Sequence, residues 1–344
     1  MSARQILQSF EAWRTAGEPL VLATVYDTLG STYTKAGHRI LIAGSGDYRG
    51  LVSGGCLEGD LAERARQVIA ADRPAAVTYD LRDAADELWG LAVGCNGLLR
   101  VFLQPLLPAR GYEPFESIAT LLRGSRGGGL ATVIEGADAG GTVIVTAEKT
   151  DAFGFAAAAP AAIVAGARRA AADGQVCLVA EGGTTVLHAP LRPIPRLLVL
   201  GGGLDAVPLV GMAVELGWFV TVADHRPAYV ARPGFDRADR KVLVEAGQVA
   251  REVPLAEFDA VVVMSHHLPT DRKYLGELAQ HTHRYVGVLG PRARRDRLLA
   301  DLGDAAAPLR ARLKGPVGLD IGADSPESIA LSVLAELQST LHAR

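Results

Sequence analysis

Cysteine is scarce: the 344 residues include only Cys56, Cys95 and Cys177. An odd number of cysteines in a long chain does not predict a disulfide framework. The chain also lacks a Cys-x-x-Cys pair and any Cys/His spacing typical of zinc, so a structural zinc site is not expected. We therefore treat the thiols as free, and we assign Cys177, inside a predicted strand at 176–180, to the core.

No apolar run is long enough to cross a bilayer. The most apolar window, 152–167, contains Pro160 and ends before two arginines, whereas a membrane-spanning helix needs about 20 residues. The first residues also lack the apolar stretch and the cleavage site of a secretion signal. We expect a cytoplasmic protein without a membrane segment.

Neither sign of charge is in marked excess, with 35 basic and 38 acidic residues and a net charge of -3. Such a balance gives no electric field that favours nucleic acid as a partner. Hydrophobic residues make up 49% of the chain, which is typical of a folded protein, and its length exceeds what one core usually serves. We expect two domains.

The N-terminal part predicts an α+β domain over residues 1–190. Helical spacing and β-rich apolar runs predict helices at 5–16 and 57–71 and strands at 19–26, 39–43, 50–53, 77–80 and 98–105. Residues 108–190 carry no recognised motif. Three prolines between Pro190 and Pro195 oppose both helix and central strand, which places the domain boundary there.

Residues 196–344 alternate between strand and helix. A strand at 196–200, a helix at 204–216 and a strand at 219–224 form one β-α-β unit, and further strands are predicted at 259–264 and 285–289. The predicted fold class is therefore α/β, with an N-terminal α+β domain followed by a C-terminal Rossmann-like domain, a doubly wound parallel sheet.

The second domain opens with the glycine turn Gly201-Gly-Gly203. Gly201 allows a tight turn, and Gly203 allows the backbone to approach a phosphate at the start of a helix. Asp224 stands where such folds place the acid that binds a ribose hydroxyl, and Arg226 can meet a phosphate instead. These residues predict NAD(P) or another nucleotide; the alternative is a fold that has lost its ligand. Asp205 opposes phosphate binding because its carboxylate repels an anion.

Two thiols of the first domain lie in glycine-rich turns. The sequence Ser53-Gly-Gly-Cys-Leu-Glu58 places Cys56 at the start of a predicted helix, and Cys95 lies between Gly94 and Gly97. A helix N-terminus favours the thiolate form of a cysteine, and a thiolate suits soft metals and sulfur chemistry. The alternative is that Cys56 is a small buried residue at a tight turn.

His266 directly follows the predicted strand 259–264. It would lie at the carboxyl edge of the sheet, where open α/β sheets bind ligands. We expect contact between His266 and a ligand, and metal binding by this histidine-rich region is the less favoured alternative.

Several of these motifs, in this order, resemble the XdhC/CoxI family, the accessory factors of xanthine dehydrogenase and related molybdenum hydroxylases. In the N-terminal part the resemblance depends on the segments 30–37, 53–58 and 89–95. In the C-terminal part it depends on the glycine turn and on the segments 224–227, 262–266, 284–290 and 315–330.

The resemblance implies a protein that binds the molybdenum cofactor, as molybdopterin or a nucleotide form of it. Such a protein protects the cofactor while a cysteine desulfurase supplies its sulfido ligand, and then passes it to a xanthine dehydrogenase-type hydroxylase. Family members are similar to chaperones, have no turnover of their own and commonly form homodimers. The candidate cofactor-binding residues are Ser53, Gly54, Gly55, Cys56, Glu58, Cys95, Gly201, Gly203, Asp224, Arg226 and His266, with Cys56 and Cys95 as molybdenum contacts.

The chain departs from the family pattern at three places. Leu204-Asp205 stands where the family usually has a histidine after the glycine turn, and Asn96 replaces a glycine. Pro291 and His267 replace the more usual serine and aspartate. Two other functions are alternatives: an NAD(P)-dependent oxidoreductase, based on the β-α-β unit, and a scaffold that joins hydroxylase and desulfurase without holding cofactor.

Overall fold

The computed structural model describes residues 2–82 and 97–342 and divides the chain into two compact units, one ending at Pro193 and the other beginning at Ile194. The predicted fold class is confirmed, with two antiparallel sheets in the first unit and a six-stranded parallel sheet in the second. Among the helices of the described residues, none has the length and apolar character that crossing a membrane requires.

The first sheet of the first unit has the strand order β3-β2-β1-β5-β4. Its elements are α1 (Ala3–Thr15), β1 (Leu20–Gly30), β2 (Arg39–Ala43), β3 (Tyr48–Arg49), α2 (Glu58–Ala71), β4 (Ala75–Asp80) and β5 (Gly97–Leu106). Alternate residues of β1, such as Val21 and Val25, pack with Leu61 and Ala65 of α2 in one buried cluster, as expected of a sheet that buries one face against a helix.

The second sheet of this unit has the order β8-β7-β6-β10-β9. Its elements are α3 (Phe115–Arg123), β6 (Gly128–Glu135), β7 (Thr142–Val145), β8 (Thr150–Phe153), α4 (Ala161–Asp173), β9 (Cys177–Glu181) and β10 (Thr184–Leu191). Helix α4 lies so close to β6 that a Cβ atom on Gly129 would stand 1.9 Å from the carbonyl oxygen of Ala167. Only glycine allows this approach.

The second unit is a parallel sheet of order β13-β12-β11-β14-β15-β16. Its elements are β11 (Arg196–Leu200), α5 (Ala206–Glu215), β12 (Phe219–Asp224), α6 (Pro227–Val230), β13 (Arg240–Leu243), α7 (Val249–Glu252), β14 (Ala260–Val263), α8 (Leu268–Leu278), β15 (Tyr285–Val288), α9 (Arg292–Leu302), α10 (Ala307–Arg310), β16 (Leu313–Lys314) and α11 (Pro326–Leu341). Buried clusters cover both faces. The chain order reverses between β11 and β14, which opens a crevice at their carboxyl ends.

Two local predictions are wrong. Residues 50–53 do not form a strand: Tyr48 and Arg49 complete the hairpin with β2, and the N–H groups of Val52 and Ser53 donate to a carboxylate instead. Cys177 is exposed, not in the core. It lies on β9, the edge strand of its sheet, and an apolar run in the sequence does not show that a strand lies at an edge.

Candidate functional site

Cys56 lies on the loop that leads into α2, and its side chain is exposed. The helix begins at Glu58, after the flanking residue Leu57. Gly54 and Gly55 have φ values of +81° and +119°, a region that glycine enters without strain. The thiol therefore stands at the surface before the first turn of a helix, so the alternative of a buried small residue does not apply.

The carboxylate of Glu58 holds this loop together. Its Oε1 accepts hydrogen bonds from the backbone N–H of Val52 (2.7 Å) and of Ser53 (3.0 Å), and its Oε2 accepts one from Ser53 Oγ (2.8 Å). The same Oγ accepts from the N–H of Leu57 (2.8 Å). Burial alone would raise the pKa of Glu58, but these hydrogen bonds outweigh it and hold that pKa below its ordinary value. Ser53 and Glu58 thus position the cysteine loop.

A hydroxyl-rich loop, residues 31–35, faces Cys56 across a narrow cleft. The cleft is lined by Ser31, Thr32, Tyr33, Val52, Ser53, Cys56, Leu57, Leu81 and Leu99. The hydroxyl of Thr34 donates to the carbonyl oxygen of Val52 (2.9 Å), which ties the two loops together. Lys35 Nζ lies 3.4 Å from Thr32 Oγ1 and adds a cation beside the cleft.

Three backbone N–H groups of the cysteine loop have no acceptor among the residues that the structure describes. Within residues 2–82 and 97–342, the N–H groups of Gly54, Gly55 and Cys56 donate to no other group. A Cβ atom on Gly55 would meet nothing within 4 Å, so the loop borders open space. Successive free N–H groups beside a helix N-terminus suit an anionic ligand.

Replacing Glu58 by glutamine should lower the free energy of unfolding and reduce its dependence on pH. The ionised carboxylate contributes stability above the ordinary glutamate pKa of about 4.3, and this contribution is lost as pH falls through the depressed pKa of the folded protein. We expect a loss of about 1–3 kcal/mol at pH 7, measured by urea unfolding.

The matched control for this experiment is Glu63→Gln. Glu63 lies on the same helix, is 61% exposed and pairs with Arg66, so its replacement should change little. If Glu58→Gln were as stable as Glu63→Gln between pH 4 and pH 7, the structural role given to Glu58 would be wrong.

The second candidate thiol, Cys95, lies outside the described residues together with Trp89 and Asn96. Its predicted contact with a ligand therefore stays a prediction. Cys177 is also exposed, but it lies on the second sheet of the first unit and does not line the cleft of Cys56.

In the second unit, the glycine turn forms as predicted between β11 and α5. Gly201 has a φ of +123°, and a Cβ atom there would stand 2.5 Å from the carbonyl carbon of Met264. The turn therefore lies directly against the end of β14. This contact brings it beside Ser265 and His266, which follow that strand.

Asp224 is fully buried and its hydrogen bonds are internal. Oδ1 accepts from the N–H and Nε of Arg226, each at 2.9 Å, while Oδ2 accepts from Arg226 Nη2 (2.7 Å) and from the N–H of Gly202 (2.8 Å). Burial alone would raise the pKa of Asp224, but the hydrogen bonds from Arg226 and Gly202 hold it below its ordinary value. Neither oxygen is left for the ribose hydroxyl that the sequence predicts as its partner.

His266 is exposed at the end of β14 and pairs with Asp205. Its Nε2 lies 2.7 Å from Asp205 Oδ2, and its side chain is 58% exposed. The pair stands beside Gly203, because a Cβ atom there would lie 3.6 Å from His266 Cδ2. The turn and His266 thus lie side by side, with the carboxylate of Asp205 between them.

Other polar residues at this edge of the sheet form hydrogen bonds within the protein. Buried Asp271 accepts hydrogen bonds from Ser265 and, at 2.7 Å, from Arg294 of α9. His267 Nδ1 bonds to Thr270 Oγ1 (2.8 Å). Within the part of the chain that the structure describes, no three His, Cys, Asp or Glu side chains are grouped to hold a metal ion.

Reasoning from sequence missed two parts of the candidate sites. Ser31, Thr32 and Tyr33 line the cleft of Cys56, and their run of hydroxyl groups after a glycine is the signal that could have singled them out. For Asp205 the sequence predicts repulsion of a phosphate but gives no partner for its carboxylate. Its partner His266 lies 61 residues away, a distance at which no local pattern predicts the pair.

Two family models match the chain. One is described as the XdhC and CoxI family and matches residues 13–80, and the other is described as the XdhC Rossmann domain and matches residues 197–337. The first match contains the cysteine loop, and the second contains the glycine turn, Asp224 and His266.

Relatives match over most of the chain. A protein of Bacillus subtilis, named as a probable xanthine dehydrogenase subunit, is 31% identical over 94% of this chain and 93% of its own length. The molybdenum cofactor insertion chaperone PaoD of Escherichia coli is 22% identical over 94% of this chain and 84% of its own length. A crystal structure described as a xanthine dehydrogenase from Bacillus halodurans has 29% identity and a TM-score of 0.80, covering 100% of this chain and 97% of that one.

Proposed function

Because the chain belongs to the XdhC and CoxI family, we propose that it is an accessory protein that binds the molybdenum cofactor and delivers it to a xanthine dehydrogenase-type hydroxylase. The observation that carries this proposal is the exposed thiol of Cys56 on a loop in which the N–H groups of Gly54, Gly55 and Cys56 donate to none of the residues that the structure describes. A relative over nearly the whole chain is named as a molybdenum cofactor insertion chaperone, which supports the same function.

The residues around Cys56 fit the chemistry of this cofactor. A thiolate is a soft ligand that suits a thiophilic metal centre. The free N–H groups of Gly54, Gly55 and Cys56 and the cation of Lys35 suit its anionic oxygen and sulfur atoms. Bound there, the cofactor supplies the molybdenum centre that the hydroxylase needs.

Each part of the site has a distinct task in this proposal. Cys56 Sγ contacts the molybdenum end of the cofactor. Glu58 and Ser53 hold the cysteine loop in place, because their side chains accept hydrogen bonds from the backbone N–H groups of Val52, Ser53 and Leu57. Thr34 fixes the opposite loop through Val52. This rigidity lowers the ordering cost of binding, while exposure of the thiol leaves the cofactor accessible to a recipient.

The partners belong to the proposal as well. They are the recipient hydroxylase, a cysteine desulfurase that supplies the sulfido ligand, and a second copy of this chain as a homodimer. A carrier of this kind acts in the cytoplasm, where its partners are made. Turnover of a substrate is not part of this function.

Delivery is tested by mixing cofactor-loaded protein with apo-hydroxylase from a host that makes no molybdenum cofactor. We expect hydroxylase activity to appear in step with loss of molybdenum from the carrier, and at least ten times faster than with the same amount of released cofactor. A scaffold would instead speed activation by free cofactor without holding any molybdenum itself. Activation no faster than with released cofactor would contradict delivery.

A further inference from the structure

A cavity of about 420 Å³ lies in the first unit, away from the cleft of Cys56. Its volume is in the range of sites that bind small molecules. Strand β5 passes both places: Leu99 lines the cleft, whereas Gln104 and Pro105 line the cavity. Five positions along a strand correspond to roughly 17 Å. The cavity is therefore a separate site, which the proposed function does not use.

Gln104 brings an open hydrogen-bond acceptor to the wall of this cavity. Its side chain is only 7% exposed, and its Nε2 donates to the carbonyl oxygen of Gly140 (2.7 Å) and to Thr142 Oγ1 (3.3 Å). Among residues 2–82 and 97–342, no donor bonds to its Oε1. Buried acceptors in proteins usually have a partner, and a ligand with N–H groups would supply one here.

Glu113 gives the cavity a negative charge. Its Oε1 accepts a hydrogen bond from Ser117 Oγ (2.9 Å), and its Oε2 accepts one from the N–H of Ser117 (3.2 Å). In the described part of the chain it forms no ion pair. Lys149 is near enough to interact with this charge, but its Nζ pairs with Asp151 at 2.7 Å. Because a carboxylate has about four lone-pair sites, Glu113 can accept further hydrogen bonds.

The other two charges in the wall cancel each other. Arg110 Nη2 forms an ion pair with Asp72 Oδ1, so the carboxylate of Glu113 sets the net charge of the lining. A cleft with a negative charge attracts cations and repels anions. The cavity therefore favours a cationic ligand over a phosphate or a carboxylate.

Rings form the apolar part of the wall. They belong to Pro74, Pro105, Pro114 and the partly exposed Phe153. The face of an aromatic ring attracts a cation, and the proline rings can contact an aliphatic chain. A ligand of this cavity thus combines a positive group with a short apolar stem.

We infer that the cavity binds a guanidinium group on a short aliphatic stem, either in a free compound such as agmatine or in an arginine side chain of a partner protein. A guanidinium is always charged, matches a carboxylate with two parallel N–H groups and stacks on aromatic faces. Glu113 supplies the opposite charge, Gln104 Oε1 supplies an acceptor in the wall, and the rings contact the stem. This site is independent of the molybdenum cofactor.

The experiment is calorimetric titration of the full chain, in a buffer without amines, with three probes: agmatine, Nα-acetyl-argininamide and Nα-acetyl-citrullinamide. Citrulline has an oxygen in place of one guanidinium nitrogen and no charge, so it is the matched control for arginine. We expect saturable binding of a cationic probe, at least ten-fold tighter than that of the citrulline compound. Tighter binding of agmatine would indicate a free ligand, and tighter binding of the arginine compound a protein side chain.

Glu113→Gln should weaken binding of the cationic probe at least ten-fold, because it removes the charge but keeps an oxygen that can accept from Ser117. The control is Glu148→Gln: Glu148 is 60% exposed, pairs with Arg126 and does not line the cavity. The thermal unfolding midpoint shows whether each variant is folded. Should Glu113→Gln not fold, Phe153→Leu tests the same site by removing the aromatic face, and it should weaken binding at least three-fold.

Three results would overturn the inference. They are the absence of saturable binding of both cationic probes at millimolar concentration, equal binding of the arginine and citrulline compounds, and unchanged binding in a folded Glu113→Gln or Phe153→Leu. An equal loss of binding in Glu148→Gln would also contradict it, since this would show attraction to any surface carboxylate.

Discussion

Cys56→Ala should lose at least nine-tenths of the molybdenum that the wild-type protein retains when both are purified without oxygen. The thiol is the soft ligand of the proposed site, and alanine leaves the metal centre with only weak hydrogen-bond contacts from the loop. The side chain is exposed, so its removal should leave the free energy of unfolding nearly unchanged. Metal analysis and the thermal unfolding midpoint measure the two effects.

Cys177→Ala is the matched control, because Cys177 is also an exposed free thiol but lies on the edge strand β9 of the other sheet. Molybdenum bound through any surface thiol would fall in both variants, whereas a specific site predicts a loss in Cys56→Ala alone. A double variant, in which Cys56 and Cys95 are both replaced by alanine, tests the second candidate thiol. Retention of molybdenum in Cys56→Ala, Cys95→Ala would exclude a thiol-dependent site.

Asp224→Ala should destabilise the second unit by about 2–4 kcal/mol. The change leaves the N–H of Gly202 and the guanidinium of Arg226 without their acceptor. The expected loss of stability is smaller than for a fully buried ion pair, because the Arg226 side chain is 30% exposed. Hydrogen exchange of the amides of β11 and β12 measures the loss within this unit alone.

Asp236→Ala is the control for Asp224→Ala. Asp236 is 75% exposed and pairs with Lys241, so its replacement should cost no more than about 1 kcal/mol. If Asp224→Ala kept both its stability and its exchange rates, Asp224 would not be the internal anchor of the turn. If Asp224→Ala bound NADPH, the result would show that the hydrogen bonds of Asp224 prevent a nucleotide from binding at the turn in the wild-type protein.

The fold of the second unit could be predicted because buried parallel strands appear in the sequence as continuous apolar runs between helices. Strands β11 and β12 have the bounds that the sequence predicts. Strand β13 was missed because most of its residues are exposed, and β16 because it has two residues. Neither carries enough apolar signal to stand out from a loop.

The candidate sites could be predicted in their local parts only. Residues 53–58 are close in sequence, and the loop they form before a helix follows from glycine chemistry and helix signals. The role of Glu58 depends on its side chain turning back to Val52, and the role of Asp205 depends on His266 across the sheet. Such contacts arise from the folded chain, and a single sequence does not contain them.

Binding of the molybdenum cofactor is tested most directly by the molybdenum and pterin content of the wild-type protein, purified without oxygen from a host that makes the cofactor. A carrier of the molybdenum cofactor should contain molybdenum and pterin together, approaching one of each per chain, and should lose both in Cys56→Ala but not in Cys177→Ala. Protein free of both molybdenum and pterin that binds NADPH tightly would contradict cofactor binding and would favour an oxidoreductase.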